Sequence, residues 1–471
     1  MAWRTLTTLW LLAVHLPPSL AAEDWPRFLG PRQDGISRET GLTRRWPQGG
    51  PPVSWSVESL GEGFSSVSIR RGRLYTMGDL GGSEHVLCLS ARDGRVLWSV
   101  VPRGAARRLV RRVESHWQQL DVNRNGQLEP SEWQSQLPEA PRYFAAHPPE
   151  RKGILAKADL RRFLGGFRTD VGDGPRSTPT IDGDRLYVEG AQGDVSCLDA
   201  ATGKTLWHVQ LVDDLGGTVP VRGYSESLLI VKNHVFVTPG GPAGTVVALE
   251  KDSGKVAWRS RKLTVGAEHC SPVPATINGI PQIIQFAKKG LYGLHRDSGA
   301  LLWQYTRTSN DFANCMTPVV EGPFVFSSTA YGTGGALVRI TNKGRRQVAR
   351  EVYFEPKMAN HHGGVLKYGE YLYGFGNGGL ICMHFRTGRI AWRARSVGKG
   401  SLLIADDLLL LQGERHRVAL AEVTPKAYIE RGRFDLPDLG RPSWPYPVLS
   451  DGRLYIRNMQ QLTVRDLRDR N

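Results

Sequence analysis

The stretch LDAATGKTLW, Leu198–Trp207, decides the fold of this chain because its pattern recurs. An apolar run leads into a polar turn that ends in Gly203, and Trp207 stands four residues after that glycine. Four residues after the turn glycine, one copy has Val348 in place of tryptophan. The other turn glycines are Gly94, Gly254, Gly299, Gly344 and Gly388. From Trp258 onward the copies are 45, 45 and 44 residues apart, and a strand-rich repeat of this length predicts a β-propeller.

Each repeat contains four segments with the period-two alternation and aromatic or β-branched residues of strands. The first segment of each repeat is rich in Ser, Thr and Pro. These segments begin near Ser65, Ser177, Ser225, Cys270, Cys315, His362, Ser401 and Pro445. We therefore predict an all-β, eight-bladed propeller in which the recurrent tryptophan packs between neighbouring blades.

The final repeat lacks a fourth strand, whereas PPVSWSVESL, Pro51–Leu60, is a strand without a repeat of its own. We expect this N-terminal strand, with Trp55, to complete the last blade, because that pairing removes two open sheet edges. The preceding residues 23–50 are rich in Gly, Pro and Arg, and we expect them to lie over the outside as an arm.

An insertion separates the first blade from the second and contains DVNRNGQLEPSE, Asp121–Glu132. The spacing is that of an EF-hand calcium loop, with Gly126 at the sharp turn and oxygen donors at the ligand positions. The predicted Ca²⁺ ligands are Asp121, Asn123, Asn125, Gln127, Glu129 and Glu132. The alternative is a polar turn that binds no ion.

The flanks of this loop predict helices and a second, degenerate hand. Upstream, Leu109, Val110, Val113, Trp117 and Leu120 are expected on one helical face. Downstream, in PPERKGILAKADLRRFL, Pro148 and Lys152 replace oxygen donors. We expect this second hand to bind no metal and to pair with the first through Leu155 and Leu128.

The chain begins like a secretory protein and is strongly basic. Residues 1–22 combine Arg4, a short apolar run and small residues before a plausible cleavage point, which predicts a signal peptide and a periplasmic or secreted protein. The alternative is an anchor that stays attached. No later stretch is long enough to span a membrane. The net charge of +16 permits attraction to proteins or anionic cell-envelope surfaces, but no nucleic-acid-binding module is recognisable.

The five cysteines do not indicate a disulfide framework. Cys88, Cys197 and Cys382 each precede a turn glycine by six residues, a position that favours a small buried side chain. Cys270 and Cys315 stand one repeat apart, so they could pair across adjacent blades or remain thiols.

The residues that lead into the first strands are expected to ring one mouth of the axial channel. They are Arg176, Glu226, His269, Asn314, His361, His362 and Lys399, followed by Trp444. This set is consistent with a structural polar rim, with a site for a small anion, or with histidines that bind a metal or move protons. Hydrolase and nucleotide-binding signatures such as G-x-S-x-G, H-E-x-x-H and a Walker loop are absent from the sequence.

The repeat phrase, DWPRFLGPRQDGIS at Asp24–Ser37 and NHHGG at Asn360–Gly364 resemble a bacterial family of secreted propellers with the pyrroloquinoline-quinone (PQQ)-type repeat. The resemblance implies a PQQ-like propeller, here with an inserted EF-hand. Two kinds of protein share the repeat: quinoprotein dehydrogenases, which bind the quinone and Ca²⁺ on the axis, and an outer-membrane assembly lipoprotein without cofactor. This sequence lacks the Cys–Cys pair and C-x-x-C-H motif of the former and the lipid-modified cysteine of the latter.

These observations favour a non-catalytic, extracytoplasmic binding or scaffold protein with Ca²⁺ in its EF-hand and without PQQ. The alternative is a PQQ- and Ca²⁺-dependent oxidoreductase with its site on the propeller axis. The expected organisation is a signal peptide (1–22), an arm (23–50), the closing strand and blade 1 (51–102), the EF-hand pair (103–173) and blades 2–8 (174–471).

Overall fold

The computed structural model describes residues 23–344 and 346–469, so the predicted signal peptide lies outside the described residues. Within this part, the strands form eight sheets, and the first strand of most sheets contacts the first strand of the next. Seven sheets have four strands, and the eighth has a short fifth strand added to it. The predicted eight-bladed, all-β propeller is therefore confirmed.

Each blade is antiparallel and runs from an inner to an outer strand. The strands of blades 1 to 4 are Ser68–Arg70, Arg73–Leu80, Ser83–Ser90 and Val96–Val100; Thr180–Asp182, Arg185–Glu189, Asp194–Asp199 and Thr205–Gln210; Leu229–Val231, His234–Val237, Val247–Glu250 and Val256–Arg259; Val273–Ile277, Ile280–Ala287, Gly290–His295 and Leu301–Tyr305. The strands of blades 5 to 8 are Val319–Glu321, Phe324–Thr329, Gly334–Lys343 and Arg346–Glu355; Val365–Tyr368, Tyr371–Gly376, Gly379–His384 and Ile390–Ala394; Gly400–Ala405, Leu408–Gly413, Arg417–Glu422 and Glu430–Asp435; Val448–Ser450, Arg453–Asn458, Gln461–Asp466 and Val53–Val57.

The ring closes through the N-terminal strand, as the sequence predicts. Val53–Val57 pairs antiparallel with Gln461–Asp466, and Trp55 lies opposite Val464. Trp55 also lies against Gly94 of blade 1, where a Cβ would come within 2.6 Å of its ring. Blades 8 and 1 are therefore joined by the same kind of contact that joins the other blades.

Recurrent tryptophans join several blades to the next one. Trp98 lies against Gly203, and Trp207 lies against Gly254. The indole nitrogen of Trp207 also donates to the Lys251 carbonyl of the following blade at 2.9 Å. Gly94, Gly203, Gly254 and Gly299 each have a positive φ and no Cβ, so they allow both the tight turn and the close approach of an indole.

Blade 5 departs from the pattern. Its outer hairpin is long, with Gly344 near the tip and nothing within 4 Å of where its Cβ would be. Tyr353, not Val348, packs against Gly388 of blade 6 and donates from its hydroxyl to the Phe385 carbonyl at 2.8 Å. The repeat spacing points to Val348 and not to Tyr353 as the contact residue, because the lengthened hairpin moves its turn away from the neighbouring blade.

The N-terminal arm does not lie wholly outside the ring, so that prediction is wrong for its first half. Trp25 exchanges backbone hydrogen bonds with Ile69, and the Pro26 carbonyl accepts from Ile181. The short strand Ile36–Ser37 runs parallel to the inner strand of blade 7. These contacts are made at the ends of inner strands, so the arm closes that end of the axial channel. Trp25 and Leu29 are buried there, which removes their apolar surface from water.

The insertion contains four helices, α1 to α4: Arg103–Leu120, Pro130–Trp133, Ala140–Ala146 and Lys157–Leu164. It has its own apolar core, which includes four of the five α1 residues predicted on one face: Leu109, Val113, Trp117 and Leu120. The prediction is wrong for Val110, which is 48% exposed. The two loops meet where Leu128 and Leu155 exchange backbone hydrogen bonds of 3.1 and 2.9 Å.

Buried ion pairs attach the insertion to blades 1 and 2. Arg108 of α1 pairs with Asp194, which His208 also contacts at 3.0 Å. Farther along, Arg168 pairs with Asp79. Burial alone would raise the pKa of Asp194, but hydrogen bonds from His208 and Arg108 outweigh that effect and lower it.

The five cysteines are free thiols, and Cys270 and Cys315 form no disulfide. Cys88, Cys197 and Cys382 are buried, in agreement with the prediction of a small apolar side chain at that position.

Candidate functional site

A cavity of about 280 Å³ lies on the propeller axis, at the end where the inner strands begin. Its wall contains Ser66, Thr178, Ser227 and Ser271, which stand just before the inner strands of blades 1 to 4. Two of these hydroxyls bind the neighbouring backbone: Ser227 Oγ accepts from Thr178 N at 3.0 Å, and Ser271 Oγ accepts from Ser227 N at 2.8 Å. The Ser/Thr-rich sequence thus links adjacent inner strands and keeps bulky side chains off the axis.

The arm and aromatic side chains limit the depth of the cavity. Phe28 of the arm lies on the wall and packs edge-on against Tyr446, with ring centroids 4.8 Å apart. Phe64 and Trp444 form a second pair at 4.8 Å with an interplanar angle of 34°. The cavity is therefore a cup whose floor is formed by the arm and whose wall is formed in part by apolar aromatic side chains.

Three cationic side chains lie on the wall: Arg176, Arg222 and Lys399. Arg176 donates to the Gly172 carbonyl at 2.9 Å and to Thr169 Oγ1 at 3.2 Å, and its guanidinium lies over the Phe64 ring. Burial lowers the pKa of Arg176 to about 10, so it remains a cation at neutral pH.

The charge on this wall is of one sign. Among the residues that the structure describes, no Asp, Glu, Asn or Gln lines the cavity. The nearest acidic compensation for Lys399 is Glu414, whose Oε2 lies 3.5 Å from Lys399 Nζ. Arg176 and Arg222 have no ion pair within the described residues. The electrostatic potential in the cavity is therefore positive.

Three histidines complete the polar wall and are neutral. Burial, followed by the positive charges of Arg176 and Arg222, lowers the pKa of His269 to about 4. Burial and the nearby Lys399 lower the pKa of His361 to about 3, and burial and the adjacent His361 lower the pKa of His362 well below its usual value. The imidazoles therefore offer lone pairs and N–H groups at neutral pH and add no charge.

The structure brings most of the predicted ring residues together. Those that line the cavity are Arg176, His269, His361, His362, Lys399 and Trp444. Glu226 and Asn314 do not line it. Glu226 is 2% exposed, with Oε2 accepting from Thr238 Oγ1 at 2.7 Å, and Asn314 is fully buried and bonds Asn310. Both side chains satisfy the backbone and hydroxyls of their own blades.

Sequence reasoning missed several wall residues. Arg222 stands in the loop before blade 3, and Tyr331 stands in a hairpin of blade 5. Phe28, Phe64, Cys315 and Tyr446 also line the cavity. Arg222 and Cys315 lie close to the starts of first strands, the same position that predicts Arg176 and His269. Tyr331 and Phe28 arrive from other elements, and no local pattern marks them.

The loop Asp121–Glu132 curls around its own side chains. Asp121 Oδ2 accepts from Gly126 N at 3.1 Å, and Asn125 Oδ1 accepts from Gln127 N at 2.8 Å. Gly126 has φ +77°, as the turn requires. Glu132 reaches back, with Oε1 3.1 Å from Val122 N and Oε2 3.0 Å from Glu129 N. Glu129 in turn accepts from the amide of Asn125 at 2.7 Å. Five of the predicted ligands, Asp121, Asn123, Asn125, Glu129 and Glu132, are therefore linked by side-chain hydrogen bonds within the loop.

Comparison with known proteins places the repeat in a family. The family model described as outer membrane protein assembly factor BamB matches residues 133–394, which is more than half of the chain. The chain belongs to this family. A BamB of Shewanella oneidensis is 24% identical over 270 residues, which are 54% of this chain and 66% of that protein.

Quinoproteins share the repeat and the fold. Quinoprotein alcohol dehydrogenase PedH of Pseudomonas putida is 31% identical over 160 residues, covering 32% of this chain and 24% of that protein. The quinohemoprotein alcohol dehydrogenase of Comamonas testosteroni superposes with a TM-score of 0.57 at 11% identity, covering 94% of this chain and 80% of that structure. The chain thus spans about two thirds of the first relative and a quarter of the second.

No helix within the described residues is long and apolar enough to cross a bilayer.

Proposed function

We propose that this chain is an extracytoplasmic binding protein whose axial cavity holds a small organic anion and whose insertion binds Ca²⁺. The ring serves as a rigid scaffold, and the protein acts by binding and not by catalysis. The observation that carries the proposal is the composition of the cavity wall: three cations, three neutral histidines and no described carboxylate or carboxamide.

The wall chemistry favours an anion with a planar apolar part. In a cavity partly screened from water, two guanidinium groups and an ammonium attract negative charge more strongly than they would at an open surface. Arginine also presents paired N–H donors that match a carboxylate. Phe64 and Trp444 contribute apolar aromatic surface to the wall for the rest of the ligand. A volume of about 280 Å³ suits a molecule of the size of benzoate, with water filling the remainder.

Calorimetric titration with benzoate tests this proposal, and benzyl alcohol serves as the uncharged probe. We expect benzoate to bind and benzyl alcohol to bind at least about 10-fold more weakly, a difference of about 1.4 kcal/mol. Arg222→Met should weaken benzoate binding because it removes a cation from the cavity wall. It should leave the fold intact, because the Arg222 side chain has no hydrogen bond or ion pair within the described residues. Arg185→Met, which removes a guanidinium paired with Asp252 away from the cavity, is the control.

Equal affinities for the charged and the uncharged probe would contradict an anion site. An equal effect of Arg222→Met and Arg185→Met would contradict it as well, because the loss of net charge alone would then account for the result.

The donors of Asp121–Glu132 fit Ca²⁺. Carboxylate oxygens of Asp121, Glu129 and Glu132, amide oxygens of two asparagines and the Gln127 carbonyl are the hard oxygen ligands that Ca²⁺ prefers. When bound, the ion would hold the two ends of the loop together and stabilise the insertion. Its ligands come from the insertion and none comes from the ring.

Scanning calorimetry with Ca²⁺ or with chelator tests the calcium proposal. A ligand at 100 times its dissociation constant stabilises the folded state by about 2.7 kcal/mol, so the insertion should unfold at a clearly higher temperature with Ca²⁺. Glu132→Gln should abolish the Ca²⁺-dependent shift, and Glu114→Gln, an exposed neighbour on α1, should keep it. No binding heat at millimolar Ca²⁺ would refute the proposal.

An extracytoplasmic location and a protein partner are proposed from the sequence and from the relatives. The relatives' name assigns them to outer-membrane protein assembly. The net charge of +16 would favour anionic cell-envelope surfaces or acidic proteins over neutral ones. Sequencing the N-terminus of the protein from fractionated cells tests this, with a mature chain that begins near residue 23 in the periplasmic or secreted fraction as the expected result.

A quinoprotein oxidoreductase is the second candidate, because PedH shares 31% identity over 160 residues. A Ca²⁺–quinone pair requires oxygen donors on the axis, and the two that the sequence offered, Glu226 and Asn314, face into their blades. The donor set of the cavity wall therefore does not fit this pair. Dye reduction with alcohols after addition of PQQ and Ca²⁺ would reverse this preference.

A further inference from the structure

A cluster of potential metal ligands lies beside the mouth of the axial cavity. His361, His362 and Glu414 each bring one ligand atom within 4.8 Å of the others. The histidines precede the inner strand of blade 6, and Glu414 follows the second strand of blade 7. In residues 23–344 and 346–469, no other three His, Cys, Asp or Glu side chains come together this closely.

Two tyrosines hold this segment: one bonds the His361 imidazole, and the other bonds the backbone of His362. Tyr331 Oη lies 2.7 Å from His361 Nε2, and the Tyr446 hydroxyl donates to the His362 carbonyl at 2.8 Å. With Nε2 of His361 engaged, its Nδ1 is directed at Nδ1 of His362 at 3.0 Å. Two nitrogens bound tetrahedrally to one ion at 2.0–2.1 Å stand about 3.3 Å apart, so the pair must open by a few tenths of an ångström and both rings must turn until their lone pairs meet at the ion.

A hydrogen bond between the two imidazoles does not fully account for the cluster. Whichever Nδ1 donates, Nε2 of His362 remains buried with no hydrogen-bond partner in the described residues. Buried polar atoms of this kind usually have a partner. Nε2 of His362 is therefore a second candidate ligand atom, in a buried position next to the cavity, besides the Nδ1 that faces His361.

We propose that His361, His362 and Glu414 bind a borderline divalent transition-metal ion such as Zn²⁺. Two imidazole nitrogens and one carboxylate oxygen suit Zn²⁺ or Cu²⁺, whereas Ca²⁺ and Mg²⁺ prefer an all-oxygen set. Three protein ligands leave the remaining position open toward the cavity, where water or an anion would complete the coordination. This inference goes beyond the binding function proposed above, and only the benzoate measurement with Lys399→Met rests on that function.

The positive charge of Lys399 should weaken metal binding at this cluster. Its Nζ lies 3.5 Å from Glu414 Oε2, so an ammonium occupies space close to one of the three ligands. The side chain is 42% exposed and can turn toward solvent when the ion binds. Removal of this charge should strengthen metal binding because two cations then no longer compete for one carboxylate. The same substitution removes a cation from the anion cavity and should weaken benzoate binding.

Titration of the full mature chain with Zn²⁺ tests the site, with Ca²⁺ present at millimolar concentration to saturate the insertion loop. We expect one Zn²⁺ per chain. His362→Ala and Glu414→Gln should each weaken binding by at least about 10-fold, since even the loss of a supporting residue around a metal costs that much. His384→Ala, which removes a histidine of the same blade at an outer position, should leave the affinity unchanged.

Two further measurements separate metal coordination from a general structural role. The Cu²⁺ complex should show electron-spin coupling to two imidazole nitrogens, and His362→Ala should leave one. Lys399→Met should raise Zn²⁺ affinity while it lowers benzoate affinity. Zn²⁺ binding that is equal in the wild type, His362→Ala and Glu414→Gln would overturn the proposal, and so would its absence in the wild type. If His362→Ala does not fold, Glu414→Gln, a change at one partly exposed atom, decides the outcome.

Discussion

Glu84 stands at the contact between blades 1 and 2, and its substitution by Gln should stabilise the protein at alkaline pH. Its Oε2 accepts from Ala191 N at 3.1 Å, while Oε1 is buried without a partner. Burial, followed by the negative charges of Asp79 and Asp194, raises the pKa of Glu84 from 4.5 to about 8. The folded protein therefore holds a proton at neutral pH that the unfolded chain releases.

The difference in the pKa of Glu84 between the unfolded and the folded state determines how the free energy of unfolding changes with pH. Between pH 4.5 and about 8 the folded state binds more protons than the unfolded state, so the free energy of unfolding falls as pH rises. At about 1.4 kcal/mol per pKa unit, the full shift corresponds to about 5 kcal/mol, and partial contact with solvent reduces it to about 2–3 kcal/mol. Glu84→Gln removes the titration and keeps an oxygen for Ala191 N. The variant should match the wild type at pH 5 and exceed it by about 2–3 kcal/mol at pH 8.

Guanidinium unfolding at pH 5, 6, 7 and 8, followed by tryptophan fluorescence, measures the difference. Glu84→Asp is the control, because it keeps a carboxyl group at this position and should retain the pH dependence. A stability difference between Glu84→Gln and the wild type that is the same at pH 5 and pH 8 would refute the reasoning.

Three other predictions concern the ring, the insertion and the cavity floor. Trp207→Ala should lower the free energy of unfolding by about 3–5 kcal/mol, measured by denaturant unfolding, because it leaves a void against Gly254. Asp194→Asn should cost about 3 kcal/mol by the same assay, because Arg108 then remains buried without its carboxylate; a neutral result would mean that this ion pair does not hold the insertion. A chain that begins at residue 38 loses Phe28 from the cavity floor and should bind benzoate at least about 10-fold more weakly by calorimetry; unchanged affinity would contradict the cup.

The repeat phrase was sufficient to predict the blades because each blade is built from residues that are close in sequence. The spacing from Gly203 to Trp207 specifies both a hairpin turn and an inter-blade contact. The last blade lacks a fourth strand in sequence, and the N-terminal strand with Trp55 has no other blade to join, so their pairing could be predicted. The same local logic failed for Tyr353, because a longer hairpin shifts the contact residue, and for residues 24–37, because they contact inner strands that are distant in sequence.

The cavity could be predicted only in part. The inner strands of a propeller surround its axis, so residues that lead into these strands lie near the axis. This is why the sequence predicts Arg176 and His269 as cavity residues. The direction of a side chain at the start of a strand depends on which backbone groups need partners, so Glu226 turns toward Thr238 and away from the cavity. Tyr331 and Phe28 come from a hairpin and from the arm, and their approach to the axis follows from the assembled ring.

Anion binding in the axial cavity can be observed directly in a crystal of the protein soaked with 4-iodobenzoate, with the iodine located by anomalous scattering. We expect one strong iodine peak inside the cavity, between the Phe28 floor and the mouth, with the carboxylate in contact with Arg176 or Arg222. An empty cup at saturating 4-iodobenzoate, or iodine peaks confined to the outer surface of the ring, would contradict it.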